Sequence, residues 1–128
     1  LYTEFDWRVG ILSKTPLFVC QYFMSKEHWK IYNHEPGQER GTRAGDSKTL
    51  PMEETPDIVV KTALKAAGLI GNGFYGVDLK QTARGIVVIE INDNPNIDQG
   101  VEDVILKEEL YRTLIEDFVW RLDRKRGK

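Results

Sequence analysis

Apolar and polar positions divide the chain into strand-like and helix-like stretches. Gly76-Val77-Asp78-Leu79-Lys80 and Ile86-Val87-Val88-Ile89-Glu90-Ile91-Asn92 are rich in apolar and β-branched residues, with Gln81-Thr82-Ala83-Arg84-Gly85 between them. Two such runs around a Gly-containing connector predict a β-hairpin. An earlier hairpin is expected from Val9–Leu12 and Leu17–Met24, turned by Ser13-Lys14-Thr15-Pro16, and His28–Asn33 reads as a short strand. Residues 34–54 are rich in Gly, Pro and charge without periodicity, which predicts a long loop. Thr55-Pro56-Asp57 supplies an N-cap, a first-turn Pro and an early acid for a helix. Its apolar stripe is Val59, Val60, Ala63, Leu64 and Ala67, and Gly68 or Gly71 ends it. A last helix is expected from about Val101-Glu102-Asp103 to about Asp123. Leu106, Leu110, Leu114, Phe118 and Leu122 form its core stripe, joined by Ile115 and Val119, with Trp120 at the partly exposed edge.

The fold class that follows is α+β: an antiparallel β-sheet of roughly four or five strands with helices packed on one face. Side chains alternate across a strand, so Glu90 and Asn92 share a face. If Lys80 opposes Ile86, Asp78 opposes Val88, and Glu90 becomes the diagonal neighbour of Asp78 at roughly 7–8 Å. Two carboxylates and an amide oxygen form a hard, all-oxygen set that suits Mg²⁺ completed by phosphate oxygens and water. The dense polar turn Asp93–Gly100 follows directly, where sites tend to be built. With helices on one face, this polar face is expected to be the other one, uncovered within the chain.

Composition narrows the setting. The chain has 128 residues, 41% hydrophobic and 30% charged, which makes one domain or one lobe of something larger. A net charge of −2 argues against a general nucleic-acid binder. The basic end Arg121, Arg124, Lys125, Arg126 and Lys128 reads as a solvated helix terminus. Cys20 stands alone, so a reducing compartment is the default. Its apolar neighbours make it a buried small residue rather than a nucleophile. Neither His28 nor His34 belongs to a zinc-type cluster. With no apolar run near the ~20 residues of a membrane span, a cytoplasmic protein is expected. The sequence opens without Met and runs straight into a strand, an opening expected of a carboxy-terminal piece of a longer chain.

The stretch Gly73-Phe74-Tyr75-Gly76-Val77-Asp78-Leu79 through Val88-Ile89-Glu90-Ile91-Asn92-Asp93-Asn94-Pro95 resembles the end of an ATP-grasp domain of the RimK-type, glutamate ligase-like branch. That signature is an Asp on one strand, Glu-x-Asn closing the next, then a Pro-containing loop. Asp6-Trp7-Arg8-Val9-Gly10-Ile11-Leu12 is similar to the same family's Asp-x-Arg strand. The resemblance implies that Asp78, Glu90 and Asn92 hold the Mg²⁺ (or Mn²⁺) of bound ATP and that Arg8 faces the phosphates. It departs after Asn92, where such ligases usually carry small residues and Gly, and at Gln21-Tyr22, where several relatives carry a basic residue. Both positions lie near the expected acceptor side, so the substrate does not carry over.

The resemblance implies an ATP-dependent carboxylate–amine ligase acting through an acyl phosphate, with this chain, residues 1–128, as its metal-binding carboxy-terminal lobe. The partners implied are ATP, a carboxylate and an amine (amino acid or peptide), the missing amino-terminal lobe and, at most, a second copy, without membrane or nucleic acid. This lobe alone is expected to be inactive. The alternative from another class is a non-catalytic ATP-grasp-derived binding or assembly module. Two-metal hydrolysis, as in a phosphatase or nuclease, is disfavoured because no further acid or His accompanies the hairpin.

Overall fold

The computed structural model describes residues 3–23 and 47–127. Strands β1 (Phe5–Leu12), β2 (Thr15–Phe23), β3 (Ser47–Leu50), β4 (Phe74–Thr82) and β5 (Gly85–Asp93) form one antiparallel sheet in the order β3-β2-β1-β4-β5. Helices α1 (Asp57–Ile70) and α2 (Glu108–Lys125) complete the α+β architecture, with a 3₁₀ turn at Met52–Glu54. The strand expected at His28–Asn33, with residues 34–46 of the expected loop, lies outside the described residues.

Alternation along the strands assigns the two faces. Val9, Ile11, Val19, Val77 and Leu79 point to one side, where they bury Val59, Ala63 and Ala67 of α1. The two alanines let the helix backbone approach the sheet, and each fully buried Val or Leu contributes about 1.5–3 kcal/mol. The intervening residues Leu12, Phe18, Cys20 and Phe74 point to the opposite side, against Leu110 and Leu114 of α2.

The two helices therefore do not share one face, as the sequence pattern suggested. Helix α1 covers one face, and α2 covers one end of the other. The stripe on α2 is core only over its first turns. Leu110 and Leu114 are buried, whereas Ile115, Phe118, Val119 and Leu122 are exposed, and Trp120 is half-exposed as expected.

Three boundaries differ for local reasons. Residues 47–50 of the expected loop form the edge strand β3, whose Ser-Lys-Thr-Leu sequence has no apolar alternation to announce it. Thr55 does not cap α1; its hydroxyl donates to the Pro51 carbonyl at 3.2 Å, and Pro56 occupies the cap position. Gly71 ends the helix. The last helix starts at Glu108 rather than near Val101. Glu102 accepts the Asp98 N–H and Asp103 the Gly100 N–H, each at 2.7 Å. Such side-chain bonds offer the backbone an alternative to the helix, and Lys107 at φ 53° breaks helical geometry before α2 begins.

Candidate functional site

The β4–β5 hairpin is shifted by one residue, and that shift decides which side chains meet. Near the turn Thr82 pairs with Gly85, Lys80 with Val87 and Leu79 with Val88. Continued, this register would pair Asp78 with Ile89 and turn Glu90 toward α1. A bulge between Asp78 and Leu79 leaves Ile89 as the extra residue, and Asp78 pairs directly with Glu90, Gly76 with Asn92. The expected Lys80–Ile86 and Asp78–Val88 pairings are thus corrected. The connector is two residues rather than five, and Gly85 takes φ 128°. The bulge restores the parity that the short turn would have inverted.

Directly opposed residues project to the same face. Arg8 pairs with Cys20 on one side and Asp78 on the other, so Cys20, Arg8, Asp78 and Glu90 form one row, with Asn92 in the next. Arg8 donates from Nε to Asp78 Oδ1 at 2.8 Å and from Nη2 to Oδ2 at 3.0 Å. This two-pronged ion pair adds geometric specificity to its charge. The bond chiefly holds the Arg8 guanidinium above its already high pKa, against an opposing cost of burial. Glu90 is exposed and, among the described residues, forms no ion pair; Asn92 Nδ2 donates to Glu90 Oε2 at 3.4 Å.

Close packing fixes the next row. A Cβ built on Gly76 would stand 2.9 Å from Pro95 Cβ, so only glycine lets Pro95 lie over the strand beside Arg8. This contact and Asn94 at φ 50° turn the chain sharply after Asn92 and return it across the polar face. The returning segment brings Glu102, only 1% exposed, to accept the Tyr22 hydroxyl. The Arg8 guanidinium lies 5.3 Å from the centre of the Tyr22 ring. Burial, then the bond to Glu102, drives the Tyr22 hydroxyl far above its ordinary pKa. The face expected to be uncovered is therefore partly roofed by the chain's own segment. No sequence signal marks Tyr22 and Glu102 as neighbours, because they lie far apart along the chain.

The remaining groups behave structurally. Burial pushes the Cys20 thiol up to about 11, with Thr49 Oγ1 3.2 Å away partly offsetting it. Lys80 donates to Asp6 at 2.5 Å and to Thr3 at 3.1 Å. Tyr111 is held up to about 12, chiefly by donating to Asp103 at 2.6 Å.

The donor set is compatible with a divalent cation shared with phosphate. Among the described residues no three His, Cys, Asp or Glu side chains cluster as a metal cage. Arg8 occupies one lone pair on each Asp78 oxygen, and a carboxylate offers about four. Two carboxylates and an amide oxygen thus remain on one face, the sparse oxygen set that Mg²⁺ takes when a nucleotide supplies the rest.

The solved structures show the fold. The chain is similar to D-alanine–D-alanine ligase from Bacillus anthracis complexed with ATP, with TM-score 0.65, 14% identity, and coverage of 99% of this chain and 42% of that one. It is also similar to the ATP-grasp ligase PsnB complexed with minimal precursor, Mg and ADP, with TM-score 0.58, 20% identity, and coverage of 91% and 33%. The fold is that of the carboxy-terminal part of an ATP-grasp ligase.

No family model matches the sequence. Among curated proteins it is similar to a probable alpha-L-glutamate ligase of Vibrio cholerae serotype O1 (strain O395), 40% identical over 63 residues. That match covers 49% of this chain and 19% of the relative, so the chain spans about a fifth of the curated length. The sequence thus resembles that ligase over about half of its own length, in keeping with the likeness carried by the Asp78 and Glu90-Ile91-Asn92 motif. Among the described residues no helix is long and apolar enough to cross a membrane.

Proposed function

We propose that the complete protein is a Mg-ATP-dependent carboxylate–amine ligase and that this chain is its metal-binding lobe. The observation that carries the reading is the single polar row of Arg8, Asp78 and Glu90, with Asn92 beside it, brought to one face by the β5 bulge. The likeness to ligases whose structures hold ATP or Mg and ADP supports it.

In this reading Asp78, Glu90 and Asn92 hold Mg²⁺, which supplies charge neutralisation at the phosphates. A substrate carboxylate oxygen attacks the γ-phosphorus, the bond to the β–γ bridging oxygen breaks, and ADP leaves. The amine then attacks the acyl carbon, phosphate departs, and the amine proton passes to solvent. Arg8 contributes positive charge to the transferring phosphoryl group, held in place by Asp78. Asn92 orients Glu90 through their shared hydrogen bond. The segment from Pro95 to Glu102 keeps water from part of this face.

A single lobe presents the metal ligands without the opposite wall of an ATP cleft. The chain alone is therefore expected to bind Mg-ATP with a Kd of about 1 mM or weaker, about 4 kcal/mol. Titration calorimetry on the chain, and ADP release by the complete protein with candidate carboxylates and amines, test the two halves of the proposal. ATP-dependent amide formation that survives Glu90→Gln at full rate contradicts it.

One observation favours the module reading: both oxygens of Asp78 are engaged by Arg8. If that pair only braces the sheet, Mg²⁺ leaves the melting temperature of the nucleotide-bound complete protein unchanged.

A further inference from the structure

The polar row does not end at Arg8. The guanidinium is held on one side by the Asp78 carboxylate and lies against the Tyr22 ring on the other. Tyr22 is half-buried, and its hydroxyl is fixed by Glu102, whose second oxygen accepts the Asp98 N–H at 2.7 Å. Glu102 is thus a buried carboxylate with both oxygens engaged and its charge close to Arg8.

An arginine has many rotamers, and ordering it costs conformational entropy. A bidentate carboxylate fixes the plane of the fork but not its tilt. A ring packed against the guanidinium restricts that tilt, provided the ring itself is anchored, and the Glu102 bond is the anchor. The arrangement also links the site to the segment that follows Asn92: Glu102 joins β2, the roofing loop and, through Tyr22, the Arg8 side chain. Position 22 of β2 carries the ring that lies against Arg8.

We propose that Tyr22 and Glu102 form a positioning pair that sets the orientation of the Arg8 guanidinium, with Tyr22 restricting it and Glu102 fixing Tyr22. The effect on rate rests on the ligase reading above; the effect on Arg8 geometry does not. Neither residue touches the reacting atoms.

The test uses the complete protein with Tyr22→Phe, Glu102→Gln and Arg8→Lys, alone and combined. Phe keeps the ring and Gln keeps the shape, so at least one variant retains the fold, which melting curves verify. Turnover is measured as kcat and KM for ATP, and the Arg8 Nε–H resonance is followed by ¹H–¹⁵N NMR, assigned by its loss in Arg8→Lys. Tyr22→Phe and Glu102→Gln should each lower kcat about tenfold with KM changed less than about twofold, since misplaced catalytic groups cost rate before affinity. In the Arg8→Lys background the same substitutions should change the residual kcat less than about twofold, because coupled residues are non-additive. The Arg8 resonance should shift or broaden in both variants although the ring is still present.

Equal rate losses in both backgrounds, or an unmoved Arg8 resonance, overturn the positioning role and leave the ligase reading intact. If the complete protein forms no amide from any tested pair, the ligase reading is what fails. The resonance alone then decides the positioning role: displaced in both variants it stands, unmoved it falls.

Discussion

Removing the charge of Asp78 or of Glu90 should shift stability in opposite directions, although the two face each other on paired strands. Asp78 accepts both prongs of Arg8, with side chains only 17% and 25% exposed. Exposed pairs contribute about 0–1 kcal/mol and breaking a fully buried one costs about 3–5 kcal/mol, so Asp78→Asn is expected to cost about 2 kcal/mol. Glu90 is exposed, has no ion-pair partner among the described residues, and lies directly across from the Asp78 carboxylate. Like charges in that position are mutually destabilising, so Glu90→Gln should be neutral or stabilising by about 0.2–1 kcal/mol. Nucleotide reverses the comparison for Glu90. A ligand at about a hundred times its Kd raises stability by about 2.7 kcal/mol, and a variant that loses a metal ligand forfeits much of that gain. Melting curves of the complete protein with and without Mg-ATP separate the cases. Asp78→Asn melts lower in both conditions, whereas Glu90→Gln melts at least as high as the parent without nucleotide and lower with it. A Glu90→Gln variant that keeps the whole Mg-ATP shift refutes the reasoning.

Other substitutions probe the framework. Gly76→Ala puts a methyl 2.9 Å from Pro95. It should cost about 1–3 kcal/mol with loss of turnover, read by denaturant titration and rate. Leu110 is fully buried and Phe118 lies on the exposed part of α2. Leu110→Ala should cost about 2–5 kcal/mol while Phe118→Ala stays within about 1 kcal/mol, both read from chemical denaturation. The Cys20 thiol, raised from 9.0 to about 11, favours the protonated fold. That contribution is intact below the unfolded pKa and is lost as pH rises through the folded one. Folded protein at about pH 8, below both values, should accordingly leave Cys20 unalkylated over a time in which denatured protein reacts fully, as read by mass spectrometry.

The sheet is largely legible because its strands alternate residue by residue and its turns carry Gly or a tight polar pair. The set Asp78, Glu90 and Asn92 is legible as chemistry, but the register that makes them neighbours is not. The pattern predicts a diagonal where the structure has a direct pair, since a bulge leaves no mark on Val88-Ile89-Glu90-Ile91. Strand β3 carries no signal because an edge strand with an exposed Lys needs little apolar content. The start of α2 reads too early because Glu102 and Asp103 look like first-turn acids. In the fold they are buried acceptors, bound to loop N–H groups and to Tyr22 and Tyr111. The full apolar stripe of α2 predicts burial that its second half does not have. Periodicity shows that a helix has an apolar face, but which part of it meets the sheet depends on where the helix lands.

Anomalous diffraction can show whether Asp78, Glu90 and Asn92 together hold the cation of a bound nucleotide. Crystals of the complete protein would be grown with Mn²⁺ and a non-hydrolysable ATP analogue. A manganese peak is expected within about 2.0–2.5 Å of oxygens from Glu90, Asn92 and the nucleotide phosphates, with Asp78 as a ligand or one water away. A metal ordered on the phosphates with no protein oxygen from this row, or a nucleotide bound on the α1 side of the sheet, would contradict it.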